Sequence, residues 1–152
     1  MAVHHPPYSL DRPHGGSPDI VASLNQAMKI SKRIPDAVFS GHVHSYQRFT
    51  RTISGREAPY VVAGAGGYAH QPSAMHKLRI DEKGRPPTKL PFRTLEKDVV
   101  LEAFNDTDPG FLRLTISDES LEGEYFTVPF HGAPPARAFD IFTLNLKTHK
   151  VK

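Results

Sequence analysis

A strand, a helix and a second strand follow one another at the start of the chain, and this order limits the fold more than any other feature. Met1 to Val3 resembles the end of a buried strand, and Ala37-Val38-Phe39 is a second short apolar run. Between them, Ser17-Pro18-Asp19 is typical of a helix start, and Ile34-Pro35 ends the helix near Arg33. Such a unit predicts two parallel strands joined by a right-handed crossover.

Histidines stand where each of these strands ends. His4 follows the first strand, and Gly41-His42-Val43-His44 follows the second. Because the carboxyl ends of parallel strands meet at one sheet edge, we expect His4 and His42 to lie together. Imidazole is the commonest protein metal ligand, and without cysteine any metal must rest on nitrogen and oxygen ligands. The pattern predicts a metal site, although Gly-His-x-His alone also suits an edge turn.

The neighbouring histidines are interpreted from strand geometry and local composition. His5 is expected on the opposite side of the strand from His4, where it would orient ligands or serve the structure. His14 stands in Pro13-His14-Gly15-Gly16, which also suits a solvent-exposed turn. His76, His131 and His149 show no partner pattern, so we expect them on the surface or in loops.

The remaining sequence predicts mostly strands around one long irregular segment. At 152 residues, the chain is expected to form a single domain. Tyr60 to Ala63 predicts a third strand, whereas Ala69 to Lys97 predicts a long excursion, with an amphipathic strand around Leu78 to Ile80. The last four predicted strands, expected to form an antiparallel meander, are Val99 to Phe104, Phe111 to Ser117, Leu121 to Val128 and Phe139 to Leu146.

The glycine-rich segment Gly64-Ala65-Gly66-Gly67 has two interpretations. A phosphate cradle is the less favoured one, because no strand-to-helix context surrounds the glycines. We instead expect a turn that needs positive φ or a close approach to the histidine loop. Tyr68 follows this turn and is expected to line the rim of the cleft, in contact with substrate or behind the ligands.

Charge and hydropathy restrict the partners. The net charge is +3, and the basic residues lack interleaved aromatic residues, so nucleic-acid binding is not expected. No apolar run approaches the roughly 20 residues of a membrane span, and no signal peptide is evident. The sequence therefore predicts no membrane partner and leaves the compartment open.

The order His4-x-Pro6-x-Tyr8, His14 and Gly41-His42-x-His44-x-Tyr46-x-Arg48 resembles a known family. It is similar to the carboxyl-terminal half of calcineurin-like metallophosphoesterases, in the purple acid phosphatase-like branch. The resemblance implies an α/β fold, namely half of a four-layer αββα sandwich in which a β-α-β unit precedes mostly antiparallel strands. It would make residues 1–152 one partial domain.

The same resemblance implies a dinuclear centre that hydrolyses phosphate esters. By position, His4 and His42 match two ligands of one metal, and His44 matches a ligand of the other. His14 matches the histidine that protonates the leaving alcohol. Tyr46 and Arg48 are expected to pack and orient the loop more than to touch substrate, although Arg48 could hold a phosphate. The implied cofactors are two divalent or mixed-valence ions of iron, zinc or manganese.

Several family motifs have no counterpart in this sequence. The chain contains no Gly-Asp pair and no Asn-His pair, so the bridging aspartate and the asparagine ligand of the family are missing. We therefore expect partial or no metal occupancy, and catalysis only when the amino-terminal half of the enzyme is supplied. The alternative is a non-catalytic fragment that serves as a weak metal-binding or interaction module.

A half domain would expose apolar surface and a strand edge at Met1 to Val3 or Ala37 to Phe39, and self-association is expected.

Overall fold

A computed structural model describes residues 1–67, 71–79, 81, 83, 85–130 and 137–152. These residues form one α-helix, a short 3₁₀ turn and two β-sheets. The elements are β1 Ala2–Val3, α1 Pro18–Ser31, β2 Val38–Ser40, β3 Tyr46–Ile53, β4 Arg56–Ala63, the 3₁₀ turn Pro72–Ala74, β5 Phe92–Arg93, β6 Val99–Asn105, β7 Gly110–Ile116, β8 Ser120–Thr127, β9 Arg137–Asn145 and β10 Lys150–Val151.

Helix α1 begins and ends as the sequence predicts. The Ser17 hydroxyl accepts a hydrogen bond from the Ile20 amide at 3.3 Å, and Pro18 occupies the first turn, where its missing N–H costs nothing. Leu24 is the buried residue of the helix. The helix stops at Lys32, which has φ of 58° and donates its backbone N–H to the Met28 carbonyl. The helix thus carries the chain from the end of β1 back to the start of β2.

The first sheet contains six strands in the order β1-β2-β4-β3-β6-β5. Strands β1 and β2 pair in parallel, with Ala2 opposite Phe39 and Val3 opposite Ser40, which confirms the predicted β-α-β unit. Strand β2 is also parallel to β4, and β4 pairs with β3 in an antiparallel hairpin. Strand β3 was not predicted, because Gln47 and Arg48 are buried beside Tyr46 and no alternation of polar and apolar residues marks it.

The second sheet is an antiparallel meander in the order β10-β9-β8-β7. The prediction that four late strands form one meander was wrong for the first of them. Strand β6 instead pairs with β3 in the first sheet. The sequence did not predict β3, so it could not indicate this pairing. The amphipathic strand predicted around Leu78 to Ile80 is represented by an isolated bridge between Leu78 and Asp11. Ile80 lies outside the described residues.

Two apolar clusters form the core. One includes Leu24, Val38, Phe49 and Tyr60 and lies between α1 and the first sheet. The other includes Tyr46, Val61, Tyr125 and Phe142 and lies between the two sheets. The described residues therefore form an α/β fold in which a helix, a mixed sheet and an antiparallel sheet are layered.

Strand β1 lies at an edge of the first sheet, as predicted for Met1 to Val3. The alternative edge at Ala37 to Phe39 was wrong, because β2 is paired on both sides by β1 and β4.

Among the described residues, no helix combines the length and hydropathy that a membrane crossing requires.

Candidate metal centre

His4 and His42 meet where β1 and β2 end, as the parallel pairing requires. The Gly41 amide donates to the His4 carbonyl at 3.1 Å, which continues the β1/β2 register by one step. The Nε2 atom of His4 then lies 3.2 Å from the Nδ1 atom of His42. His42 has φ of 64°, in the left-handed region that few non-glycine residues adopt. A strained backbone therefore positions the His42 ring against His4.

His5 lies on the same side as His4, contrary to the expectation from strand alternation. Strand β1 ends at Val3, so the side chains that follow no longer alternate. The His5 ring centroid lies 4.1 Å from that of His42 and 4.9 Å from that of His4. One ligand atom each from His4, His5 and His42 lies within 4.8 Å of the other two. Three imidazoles thus converge at this edge of the sheet.

A second group contains His14 and two residues that the sequence analysis did not place in the site, Asp11 and His76. The Asp11 side chain is fully buried, and its Oδ2 accepts from the His14 amide at 2.9 Å and lies 3.0 Å from His14 Nδ1. His76 stacks on His14 with ring centroids 4.7 Å apart, and its Nδ1 is 3.5 Å from Asp11 Oδ2. Asp11 therefore orients the His14 ring.

His44 connects this second group to the loop that carries His42. Its amide donates to His76 Nδ1 at 3.2 Å, its carbonyl accepts from the His76 amide, and its ring stacks on His76 with centroids 4.2 Å apart. The His14 ring in turn lies 5.0 Å from the His42 ring. His4, His5, His14, His42, His44 and His76, hereafter the histidine cluster, are therefore contiguous.

Desolvation and mutual repulsion favour the neutral form of two imidazoles in this cluster, His42 and His76. Desolvation lowers the pKa of His42, and the nearby rings of His5 and His14 lower it further. Burial likewise lowers the pKa of His76, and the effects of His44 and His14 add to it against the opposing charge of Asp11. Neutral imidazole is the form that binds metal ions.

The loop with Asp11 and His14 is fixed from two sides. Gln47 on β3 accepts from the Leu10 amide at 2.9 Å and donates to the Ser9 hydroxyl at 3.0 Å. The backbone around Asp11 also bonds the segment after His76, through the Arg12 amide to the Lys77 carbonyl at 2.9 Å. Histidines distant in sequence are thereby held at one site.

The glycine segment supports the loop of His42 by close approach. A Cβ atom at Gly64 would overlap the carbonyl of Val43. Gly64 also donates its amide to the Ser45 carbonyl at 3.3 Å. This contact agrees with the expected close approach of the glycine turn to the histidine loop. It explains the glycine without a bound phosphate.

Tyr46 and Arg48 do not point to the histidine cluster. Arg48 forms two hydrogen bonds to Asp140 on β9, at 2.6 and 3.0 Å, and the Tyr46 hydroxyl donates to the same carboxylate at 2.6 Å. They link the two sheets, so the suggestion that Arg48 holds a phosphate was wrong: its guanidinium is bound to Asp140. Tyr68 lies outside the described residues.

An open cleft of about 550 Å³ borders the histidine cluster. It is lined by His14, His42, His44, His76, Gln71, Ser73 and Ala74. The polar residues Gln71 and Ser73 were not predicted, since their segment has no clear periodicity. A separate cavity of about 420 Å³ lies between α1 and Phe49 and Val99, and its lining is mainly apolar. Of these two spaces, the cleft at the histidines is lined by imidazoles that can bind a metal ion or transfer a proton.

The residues present fit a metal ion at His4 and His42. Two nitrogens bound to one tetrahedral zinc ion at about 2.0–2.1 Å lie about 3.3 Å apart. The observed separation of 3.2 Å between His4 Nε2 and His42 Nδ1 is close to this value. The arrangement can therefore hold a metal without a large rearrangement.

Comparison with known proteins finds similarity to purple acid phosphatases. No family model matches the chain. It is 32% identical over 102 residues to purple acid phosphatase 22 of Arabidopsis thaliana and 31% identical over 71 residues to purple acid phosphatase 21 of the same plant. These matches cover 59% and 44% of this chain.

The fold agrees with this resemblance. The structure of purple acid phosphatase PPD1 from yellow lupin seeds matches 95% of this chain with a TM-score of 0.59 and 19% sequence identity. The matches span 23% and 16% of the two Arabidopsis relatives and 24% of the lupin chain. The chain is thus similar to a portion of these purple acid phosphatases.

Proposed function

We propose that this chain supplies one side of a dinuclear phosphoesterase centre that hydrolyses phosphate esters in the parent enzyme. One observation supports the proposal most directly: His42 lies 5.0 Å, ring to ring, from both His4 and His14. His4 and His42 would hold one metal ion and His44 the other. When bound there, two such ions would polarise the phosphate and supply a hydroxide nucleophile at moderate pH.

His14 is the proposed proton donor to the leaving alcohol. In the doubly protonated ring, the Nδ1–H would donate to the buried Asp11 carboxylate and the Nε2–H would transfer its proton to the leaving oxygen, which leaves a neutral imidazole. The ring borders the cleft together with His42 and His44. A substrate phosphate in that cleft would therefore lie beside both metal ligands and proton donor.

The proposal requires further ligands from the rest of the parent enzyme. Among the described residues, Asp11 is the carboxylate grouped with histidines, and it is engaged by His14. The sequence has no Gly-Asp or Asn-His pair that could provide a bridging carboxylate or an amide ligand in the family's manner. We therefore propose that the amino-terminal half of the same enzyme is the partner and that the isolated chain has no turnover.

Metal content and turnover of p-nitrophenyl phosphate test this proposal in the isolated chain and in a longer product containing the amino-terminal half. His42→Ala and His44→Ala should each reduce metal content and turnover in the longer product. His149→Asn is the control, because it removes an imidazole near Arg56 and Asp36, away from the histidine cluster. Turnover by the short chain that survives both alanine substitutions would refute the proposal.

The role of His14 is tested with two leaving groups. His14→Ala in the longer product should slow hydrolysis of an alkyl phosphate by about 10²–10⁴-fold. The loss should be much smaller for p-nitrophenyl phosphate, whose leaving group needs little protonation. Equal losses for both substrates would show that His14 is not the acid.

A further inference from the structure

His5 has no role in the proposed dinuclear centre, yet its ring belongs to the most tightly grouped imidazoles. It packs on His42 with ring centroids 4.1 Å apart and planes tilted by 44°. It also meets His4 edge to face at 4.9 Å. His4 and His5 are exposed and His42 is partly exposed, so apolar burial does not explain why the three rings gather.

Hydrogen bonding accounts for only part of this arrangement. The contact between His4 Nε2 and His42 Nδ1 can be a hydrogen bond if one nitrogen carries the proton. That hydrogen bond does not involve His5. It therefore does not explain why a ring nitrogen of His5 lies within 4.8 Å of the ring nitrogens of His4 and His42. A cation that accepts three lone pairs accounts for all three positions.

We propose that His4, His5 and His42 together bind one divalent transition-metal ion, and that this chain alone suffices to hold it. Three imidazole nitrogens with an open fourth position form a known type of zinc site, and imidazole also suits copper and nickel. The inference deepens the proposed function, since His4 and His42 belong to both. It adds His5 as a ligand of the ion at His4 and His42, so that this one ion needs no ligand from the amino-terminal half.

The chain geometry explains how consecutive residues can serve one ion. His4 and His5 follow the last residue of β1, so their side chains are free of strand alternation. His42 approaches from the left-handed backbone after Gly41, whose amide is bonded to the His4 carbonyl. Because His4 and His5 are exposed, an ion held there would be accessible to water or to a phosphate oxygen.

Cobalt binding by the 152-residue chain tests the inference, with the visible absorbance of Co²⁺ as the readout and Zn²⁺ equilibrium dialysis for stoichiometry. We expect one tight equivalent. His5→Ala should weaken binding at least about tenfold, while circular dichroism stays unchanged because the residue is exposed. His149→Asn should leave the affinity unchanged, since His149 lies near Arg56 and Asp36, away from the histidine cluster.

The outcomes separate this inference from the proposed function. Wild-type affinity in His5→Ala, with weak binding in His4→Ala, would overturn the inference and leave the dinuclear proposal standing. Loss of the ion in His76→Ala but not in His5→Ala would also overturn it and assign the ion to Asp11, His14 and His76. Loss in His5→Ala supports it, even if the longer product fails to hydrolyse phosphate esters.

Discussion

Gly64 matters to the site because it has no side chain. Its backbone packs on the carbonyl of Val43, between the candidate ligands His42 and His44. A methyl group there would press on backbone atoms, which cannot rotate away as a side chain can. The position of the histidine loop therefore depends on a residue that contributes no chemistry.

We predict that Gly64→Ala lowers the free energy of unfolding by about 1–3 kcal/mol and weakens metal binding. Gly66→Ala is the matched control, because no described atom lies within 4 Å of a Cβ at that position. Its effect should stay within about 0.5 kcal/mol. Urea unfolding and Co²⁺ titration of both variants measure these effects, and equal losses would contradict the close-contact explanation.

The sequence predicts the positions of some histidines in the cluster but not of others. His4, His42 and His44 follow apolar strands, so the ends of parallel strands indicate where they lie. His76 follows no strand, and its contacts with His44, Asp11 and His14 bring it to the cluster. His5 was assigned to the opposite side because alternation was extended past Val3, where β1 has already ended.

Helix α1 is capped at both ends. Ser17 provides the first cap, and Lys32 stops the helix in the left-handed conformation with φ of 58°. That conformation costs an L-amino acid about 1–2 kcal/mol but is free for glycine. Lys32 is therefore a position at which this chain is less stable than it could be.

Lys32→Gly should raise the free energy of unfolding by about 0.5–1 kcal/mol, because glycine is the preferred residue at such a helix end. The same substitution one turn earlier, Lys29→Gly, should lower it by about 1 kcal/mol, since Lys29 lies within the helix. Thermal unfolding of both variants measures the difference. A loss in both would contradict the left-handed cap.

Strand β10 is held to β4 by a charged contact that depends on pH. Glu57 accepts from Lys150 Nζ at 2.9 Å and from the Val151 amide at 2.9 Å. Burial raises the pKa of Glu57, but the two hydrogen bonds outweigh it, so the pKa lies below its usual value of 4.5. The contact therefore stabilises the fold above that value and is lost as the pH falls through the lowered pKa.

We predict that Glu57→Gln lowers the free energy of unfolding by about 0.2–1 kcal/mol at neutral pH. The difference from wild type should shrink as the pH falls below 4.5, the value for the unfolded chain. Urea unfolding across this range provides the measurement, with Glu122→Gln on the exposed face of β8 as control. A difference that grows in acid would contradict the sign of the pKa shift.

The Asp140 carboxylate is a second polar link between the two sheets. Asp140 on β9 receives hydrogen bonds from Arg48 and Tyr46 on β3, and both members of the ion pair are 11% exposed. Burial raises the pKa of Tyr46, and the adjacent Asp140 adds to this, so the hydroxyl remains a donor. A sequence pattern cannot indicate such a pairing, because its partners are 92 and 94 residues apart.

Asp140→Ala should lower the free energy of unfolding by about 3–5 kcal/mol, because it leaves the Arg48 charge unpaired between the sheets. Glu124→Ala is the control: Arg113 binds that carboxylate at 2.7 and 2.8 Å, but the pair lies at the surface. It should cost less than about 1 kcal/mol. Similar losses in urea unfolding would show that Asp140 does not join the sheets.

At its edges, the molecule exposes strands and apolar side chains. Strand β1 ends the first sheet and β7 ends the second, where Ile116 is 67% exposed and Leu114 is 39% exposed. We predict concentration-dependent self-association in sedimentation velocity. Ile116→Lys should reduce it, whereas Ile30→Lys on helix α1, where the wild-type side chain is 74% exposed, should not. A monomer at high concentration would contradict this prediction.

The parallel register of β1 and β2 also has an evolutionary consequence. His4 and His42 are 38 positions apart in sequence, but the pairing of Val3 with Ser40 decides where both lie. Residues can be inserted in or deleted from the outer part of this connection, around α1, without separating the two histidines. A single insertion within β1 or β2 would shift one histidine out of place. Homologous chains should therefore vary in length around the helix and keep the strand ends constant.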